Sequence, residues 1–187
     1  MKLKKINAVL ALLSVPALFI HVGYISYAYL TYFFNPTLSR LTADPFILLV
    51  CLHAVCGMCT VFLLGDGTRS DLYPKQNKRT IIQRVSAALI FPLLIIHLNT
   101  YQLLEHSASK GKWFLFTGLL FVQVCSYAVF FIHAAVSFSR GLITLGLLTD
   151  RKKQKVLDRI VYVVFFAVTV FAVFVVLRTE LMMLHPK

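Results

Sequence analysis

The chain has 187 residues, of which 59% are hydrophobic and only 14% are charged. This composition excludes an ordinary soluble domain, in which about a quarter of the residues carry a charge. The net charge of +12 could point to nucleic acid, but most basic residues fall between the apolar segments. Because lysines and arginines in that position usually set the orientation of membrane helices, we expect no nucleic-acid partner.

Five uncharged stretches predict five transmembrane helices. They cover residues 6–39, 45–65, 85–104, 113–139 and 160–177. A bilayer-spanning helix needs about 20 mostly apolar residues, and a helix satisfies its own backbone polar groups in lipid. The sequence therefore predicts an all-α integral membrane protein with a single domain over residues 1–187. We expect helices 1 to 4 to form an up-down bundle and the fifth helix to be peripheral.

The predicted helices, in chain order, cover about residues 8–33, 46–64, 80–104, 113–148 and 161–182. Asn35-Pro36 ends the first helix, because proline disfavours a helical conformation in the residue before it. A short loop through Asp44-Pro45 then leads into the second helix. The fourth helix is longer than a span, which predicts tilt, an extension into the cytoplasm, or a break near Gly141 or Gly146. The fifth helix has no histidine and no charge across its middle, so we expect it to be peripheral to any chemistry.

The basic residues fall mainly on one side of the membrane if successive connections alternate between the two sides. Of the 19 lysines and arginines, 14 lie in the N-terminal segment and in the connections 66–84 and 140–159. The positive-inside pattern then predicts a cytoplasmic N-terminus and an external C-terminus. We expect the first helix to be retained, because its apolar run is more than twice the about 7–15 residues of a signal peptide.

Four histidines lie within predicted helices, one on each of helices 1 to 4. An ionisable side chain inside a membrane helix is costly and is a functional candidate by default. The segments PALFIH, ending at His21, and PLLIIH, ending at His97, share the order proline, four residues, histidine. His53 and His133 form a second, weaker pair, each followed by alanine. The sequence therefore predicts a helical hairpin that is repeated once, with one histidine on each helix.

The expected bundle predicts which histidines meet. Helices 1 and 3 run in the same direction, as do helices 2 and 4, so we expect His21 to face His97 and His53 to face His133. Two imidazoles that meet across a bundle core suit the axial positions of haem iron, and helix bundles accommodate haem. Zinc would require four ligands, usually with sulfur or carboxylate among them, and neither pair has a carboxylate in a neighbouring turn. The sequence thus predicts two haem b groups.

Side chains near the histidines are further candidates for cofactor binding. At about 100° per residue, Ser86 falls on the helix face of His97, with Gln83 near it, whereas Arg84 points elsewhere. Gly57 would let a flat macrocycle approach helix 2. Arg140 either neutralises a haem propionate or only sets topology. The full set of these candidates is Gln83, Ser86, Gly57, Ser137, Arg140, Tyr24 and Tyr101. The two tyrosines either contact a propionate or a quinone, or belong to an interfacial aromatic belt.

The motif Gln83-Arg84-Val85-Ser86 followed by His97 resembles the dihaem cytochrome b anchor of succinate dehydrogenases and fumarate reductases. His133, with a small residue four positions later and Gly146 thirteen positions later, fits the same pattern. The segment from His53 to Gly57 is similar to the second-helix motif of that family. The resemblance covers essentially the whole chain, with five helices in the same order.

The resemblance implies a distal haem bound by His21 and His97 and a haem nearer the cytoplasm bound by His53 and His133. It also implies a flavoprotein subunit and an iron–sulfur subunit on the cytoplasmic face, and a quinone (menaquinone or ubiquinone) as the mobile partner. The chain would then be a non-catalytic electron-transfer subunit in the inner, or cytoplasmic, membrane of a bacterium. No acidic residue lies in the middle of a predicted helix, so the sequence leaves the quinone site and the direction of electron flow open.

Two alternatives remain at this point. The chain could be the cytochrome b subunit of a different membrane oxidoreductase. It could also be a haem-free transporter or structural membrane protein whose histidines line a polar path.

Overall fold

The structure is a computed structural model that describes residues 2–62 and 74–182, excluding the side chains of residues 74–77. Five α-helices make up most of this part of the chain, in the order α1 (Lys2–Thr31), α2 (Pro36–Phe62), α3 (Pro74–Ser109), α4 (Trp113–Leu145) and α5 (Arg151–Met182). The described residues contain no strand. Each helix contains an apolar stretch long enough to cross a bilayer. This confirms the predicted all-helical fold with five apolar spans.

The loop predicted through Asp44-Pro45 is wrong, because α2 begins at Pro36 and includes both residues. The Asn35 side chain explains the early start. Its Oδ1 accepts hydrogen bonds from the backbone N–H groups of Thr37 at 2.9 Å and Leu38 at 3.1 Å. This is the arrangement of a helix N-cap, and proline is favoured at the first helical position because it needs no hydrogen-bond partner there.

Several other helix ends also extend beyond the predicted bounds, whereas α4 ends before its predicted bound. α3 continues to Ser109, α1 begins at Lys2 and α5 begins at Arg151, so charged turns prolong the apolar segments. α4 ends at Leu145, and Gly146 follows with φ +79° while its N–H donates to the carbonyl of Ile143. Of the alternatives expected for the long fourth helix, the structure therefore shows an end at Gly146, the residue type that tolerates this left-handed conformation.

Most of the helix pairs in contact run antiparallel. α1 contacts α2, α4 and α5, and α4 also contacts α3 and α5. The direction of α2 against α1 follows from two pairs of contacts: Asn7 lies beside His53, whereas His21 lies beside Thr42. As the residue number rises along one helix, it falls along the other.

An apolar cluster joins four of the helices, including the fifth. Its buried members are Leu18, Phe46, Phe131, Ala135, Val161 and Phe165. Two of these side chains belong to α5, which packs against α1 and α4. A second cluster, formed by Leu104, Phe116, Leu120 and Val176, again includes α5.

The outward surface of the helices is strongly apolar. Phe114, Phe62 and Phe166 have 96%, 80% and 73% of their surface exposed, and large aliphatic side chains are exposed along every helix. A soluble monomer rarely exposes extensive contiguous apolar surface, whereas lipid solvates it well. The surface and the five apolar spans together are those of a multi-pass membrane protein.

Candidate cofactor site

The structure brings His53 of α2 and His133 of α4 together. The centroids of their imidazole rings are 6.3 Å apart, and the ring planes are inclined by 57°. Within the described residues, α2 and α4 are not among the helix pairs that pack extensively. The two rings therefore approach each other across a gap between their helices.

Backbone carbonyl groups fix the orientation of both rings. His53 Nδ1 lies 3.2 Å from the carbonyl oxygen of Asn7, and His133 Nδ1 lies 3.1 Å from that of Gln83. A carbonyl oxygen can only accept a hydrogen bond, so Nδ1 carries the proton in each ring. The lone pair of each neutral imidazole is then on Nε2, the nitrogen available to a metal. Neither Nε2 has a hydrogen-bond partner among the residues that the structure describes.

Ser86 contacts His133, although the helical phase placed it on the face of His97. Its Oγ lies 3.0 Å from His133 Nδ1 and 2.7 Å from the carbonyl oxygen of Ile82. Because Ser86 and His97 are eleven residues apart, about 16 Å separates them along α3. The two residues share a helix face but lie at different depths, and depth determines the partner.

A cavity of about 570 Å³ lies between helices α1 to α4, and both His53 and His133 line it. This volume is within the range of about 300–1,000 Å³ found for ligand and cofactor sites. The walls are mainly apolar, with Leu18, Phe91 and Phe130 among the lining side chains. A predominantly apolar chamber with a few polar groups matches the usual composition of such sites.

Two of the predicted cofactor-binding residues line the same cavity. Gly57 leaves open space: a Cβ added there would meet only the side-chain amide of Asn7, at 3.8 and 3.9 Å. The hydroxyl oxygen of Ser137 is buried and has no hydrogen-bond partner among the described residues. A bound group with an acceptor could therefore use this hydroxyl as a donor.

The cationic side chain at the cavity is Arg84, not Arg140. Helical phase directs Arg84 away from the face of His97, and in the structure Arg84 lines the cavity at the level of His133. Arg140 instead donates to Gln83 Oε1 and to Thr80 Oγ1, both at 2.7 Å. Arg140 thus ties α4 to α3 and is not among the residues that line the cavity.

His21 and His97 lie in a second region, and each of them packs against an aromatic ring. His21 stacks on Phe46, with 6.2 Å between centroids and 11° between planes, and its Nδ1 lies 3.4 Å from Thr42 Oγ1. His97 makes an edge contact with Tyr127 at 5.7 Å, and its buried Nδ1 has no hydrogen-bond partner among the described residues. The ring contacts of the two histidines in the described part of the chain are thus with Phe46 and Tyr127, and not with each other.

The two predicted tyrosines do not line the cavity of His53 and His133. The Tyr24 hydroxyl donates to the carbonyl oxygen of Asn35 and accepts from the N–H of the same residue, both at 2.8 Å. This side chain therefore holds the turn between α1 and α2. Tyr101 has 49% of its surface exposed, as expected for a tyrosine at the edge of a membrane protein.

The sequence reasoning missed Glu180 of α5. This residue is completely buried, and both of its carboxyl oxygens lack hydrogen-bond partners among the described residues. Gln123 Oε1 also lacks one, while Gln123 Nε2 donates to the hydroxyl of Tyr127 at 2.9 Å. Since Tyr127 contacts His97, the fifth helix contributes a buried carboxyl to the polar surroundings of that histidine. The signal in the sequence is an acidic residue just beyond the apolar run 160–177, within the last turn of the predicted fifth helix.

The donor set limits the kinds of metal that the site suits. Within the described residues, no cluster of three or more histidine, cysteine, aspartate or glutamate side chains is placed to hold an ion. All four cysteines are free thiols. Two imidazoles alone suit a metal whose remaining ligands arrive with it, as in a macrocycle.

Comparisons with known proteins found no match: no family model, no curated protein and no solved structure is significantly similar to this chain.

Proposed function

We propose that the chain is a membrane cytochrome b in which His53 and His133 are the axial ligands of a haem. The observation that carries this proposal is the distance of 6.3 Å between the two ring centroids. An imidazole nitrogen binds a metal at about 2 Å, and the ring centroid lies about 1 Å behind that nitrogen. Two imidazoles on opposite sides of one metal ion therefore have centroids roughly 6 Å apart, as these two do.

The hydrogen bonds of both rings support the same assignment. Metal-binding histidines usually donate their second N–H to a carbonyl or carboxylate, which orients the ring and makes it a better ligand. The carbonyl oxygens of Asn7 and Gln83 accept such bonds here.

The other cavity residues have roles that suit a flat, largely apolar group with acidic substituents. Gly57 leaves space for a flat ring, and the walls of the cavity are mainly apolar. Arg84 supplies positive charge at the cavity, where it would neutralise a carboxylate. Haem b, when bound, supplies a one-electron couple whose potential is controlled by the axial ligands and by burial.

We further propose a second haem between His21 and His97, which are at a different depth from the first pair. Counted along the helices from the contacts of each pair, the two levels are roughly 10–20 Å apart. The aromatic contacts of His21 and His97 would have to open for a macrocycle to enter. The repeated Pro-x₄-His segments in the sequence support this second site.

The larger role we propose is a membrane anchor that relays electrons between quinone and a cytoplasmic flavoprotein with an iron–sulfur subunit. The resemblance to the dihaem anchors of succinate dehydrogenases and fumarate reductases supports it. The N-terminal lysines, Arg79 and Arg84 lie at the same end of the bundle as the level of His53. If the positive-inside pattern sets the orientation, this end faces the cytoplasm of a bacterium, and the first haem lies on the side of the soluble subunits.

The test is a reduced-minus-oxidised visible spectrum of the purified protein, combined with the ratio of haem to protein. We expect b-type bands and two haems per chain. His53→Ala and His133→Ala should each remove one and the same haem, while His21→Ala and His97→Ala remove the other. A folded protein without b-type bands would contradict the proposal, and loss of both haems from all four folded variants would contradict the pairing.

One observation favours a second candidate function, a haem-free membrane protein with a polar path. The buried groups of Glu180, Gln123 and Tyr127 extend from α5 to His97, and polar residues inside a membrane often mark ion pathways. The same spectrum distinguishes the two candidates. A cytochrome b that serves a different oxidoreductase is distinguished by the subunits that purify with the chain.

A further inference from the structure

We infer that Ser86 is a positioning residue that makes His133 a stronger electron donor to haem iron than His53. This inference rests on the proposed function. The observation behind it is a difference between the two rings at Nδ1. His53 has one acceptor, the carbonyl oxygen of Asn7 at 3.2 Å. His133 has two, the carbonyl oxygen of Gln83 at 3.1 Å and the Ser86 hydroxyl oxygen at 3.0 Å.

The direction of the Ser86 hydrogen bond follows from its own contacts. A serine hydroxyl has one proton, and the shortest contact of this oxygen is with the carbonyl of Ile82, at 2.7 Å. The hydroxyl donates to that carbonyl, one helical turn back. Its oxygen is then free to accept from His133 Nδ1–H, which already has to be a donor because it faces the Gln83 carbonyl. Ser86 is 6% exposed, so water does not compete strongly for this bond.

A second acceptor at Nδ1–H increases the negative character of the imidazole ring. A more electron-rich ligand stabilises the ferric state relative to the ferrous state and lowers the reduction potential. Outer-shell partners of metal-binding histidines typically change metal affinity by about 10–100-fold. Because the Gln83 carbonyl remains after Ser86 is changed, we expect the lower end of this range, about tenfold in the ratio of ferric to ferrous affinity. For a one-electron couple, a tenfold change is about 59 mV.

The experiment is a redox titration of the haem that His133→Ala removes, carried out on Ser86→Ala, Ser86→Thr and Ser86→Cys in the full-length protein. Ser126→Ala is the matched control, because Ser126 is also buried and also donates to the carbonyl four residues back, that of Val122, at 2.8 Å. Ser126 makes no contact with a histidine among its hydrogen bonds. Haem content and thermal stability are measured for each variant, which reports separately on folding.

We expect Ser86→Ala to raise the potential of this haem by about 59 mV for the tenfold change, with the potential of the second haem unchanged. Ser86→Thr keeps a hydroxyl oxygen and should retain the original potential, while Ser86→Cys, a weaker acceptor, should fall between the two. Ser126→Ala should leave the potential where it was. An unchanged potential in haem-loaded Ser86→Ala overturns the inference.

Two further outcomes are informative. If Ser86→Ala fails to retain haem, the titration of Ser86→Cys decides: a raised potential supports the role of Ser86, and an unchanged one overturns it. If the unaltered protein has no b-type bands, the proposed function fails instead, which is a different result from an unaltered potential in a haem-loaded variant.

Discussion

Enlarging the side chain at residue 57 should block the cavity between His53 and His133 without unfolding the protein. The space at this position suits a methyl group but not a larger side chain. The Cβ of an alanine would lie 3.8 and 3.9 Å from the side-chain amide of Asn7, which is ordinary van der Waals contact. We therefore expect Gly57→Ala to retain haem. A leucine carries three further carbon atoms, and these must extend into the cavity that residue 57 lines.

The expected size of the effect comes from the cost of overpacking. Forcing extra carbon atoms into an occupied, well-packed site costs about 1–3 kcal/mol. At about 1.4 kcal/mol for each factor of ten, Gly57→Leu should weaken haem binding at this site by roughly fivefold to somewhat more than a hundredfold. The second site, at His21 and His97, should keep its haem, because Gly57 lies at the other level.

The assay is the haem-to-protein ratio during dilution into detergent with an excess of a haem-binding acceptor protein, which measures haem loss directly. Gly118→Leu is the control, because an added Cβ at Gly118 meets nothing within 4 Å and the position is exposed on α4. We expect the control to lose haem at the unaltered rate. Faster loss from Gly118→Leu than from Gly57→Leu, or full retention by Gly57→Leu, would refute the assignment of the cavity to haem.

Three other substitutions test separate parts of the structure. Arg84→Gln should lower haem retention at the first site several-fold, because the charge at the cavity neutralises an acidic group, and Arg84→Lys should retain more haem than Arg84→Gln. Equal retention by both variants and the unaltered protein would contradict this role. Asp158→Asn should lower the thermal midpoint by about 2–8 °C. It removes the carboxylate that Arg79 binds with two 3.0 Å contacts, and a half-buried pair of this kind is worth about 1–2 kcal/mol. An unchanged midpoint would show that the pair adds nothing. Glu180→Met should raise the thermal midpoint by about 2–12 °C, because a buried carboxyl without hydrogen-bond partners costs about 1–3 kcal/mol. A lower midpoint would show that the carboxyl has a stabilising partner in the membrane.

The five spans and their order could be predicted because charge is excluded from the bilayer core. The helix ends could not, since they depend on local hydrogen bonds. Asn35 caps α2 and allows the helix to begin at Pro36, about ten residues before the apolar segment. An uncharged run indicates the part of a helix that suits lipid, and it contains no information on how many charged turns continue the helix into water.

The expected up-down bundle predicted that His53 faces His133, and the two rings lie 6.3 Å apart between centroids. The partners of these rings were harder to predict. Helical phase placed Ser86 on the face of His97, but the depth of α3 relative to α4 decides that it contacts His133 instead. That depth is set by long-range packing, which a single helix does not encode.

The burial of Glu180 depends on packing in the same way. Its position near the end of α5 suggests the membrane–water interface, where a carboxylate could reach water. The packing of α5 against α1 and α4 closes that route and leaves the residue without any exposed surface. No periodicity within α5 indicates which of its faces the other helices cover.

The central claim is that the imidazoles of His53 and His133 hold one iron between them, and the most direct measurement is ligand rescue followed by electron paramagnetic resonance. His133→Gly should lose the low-spin ferric signal of one haem, because one axial nitrogen is missing. Added imidazole should enter the cavity left by the side chain and restore that signal, with the second haem unaffected throughout. A low-spin signal that persists in full in His133→Gly, before imidazole is added, would contradict the claim.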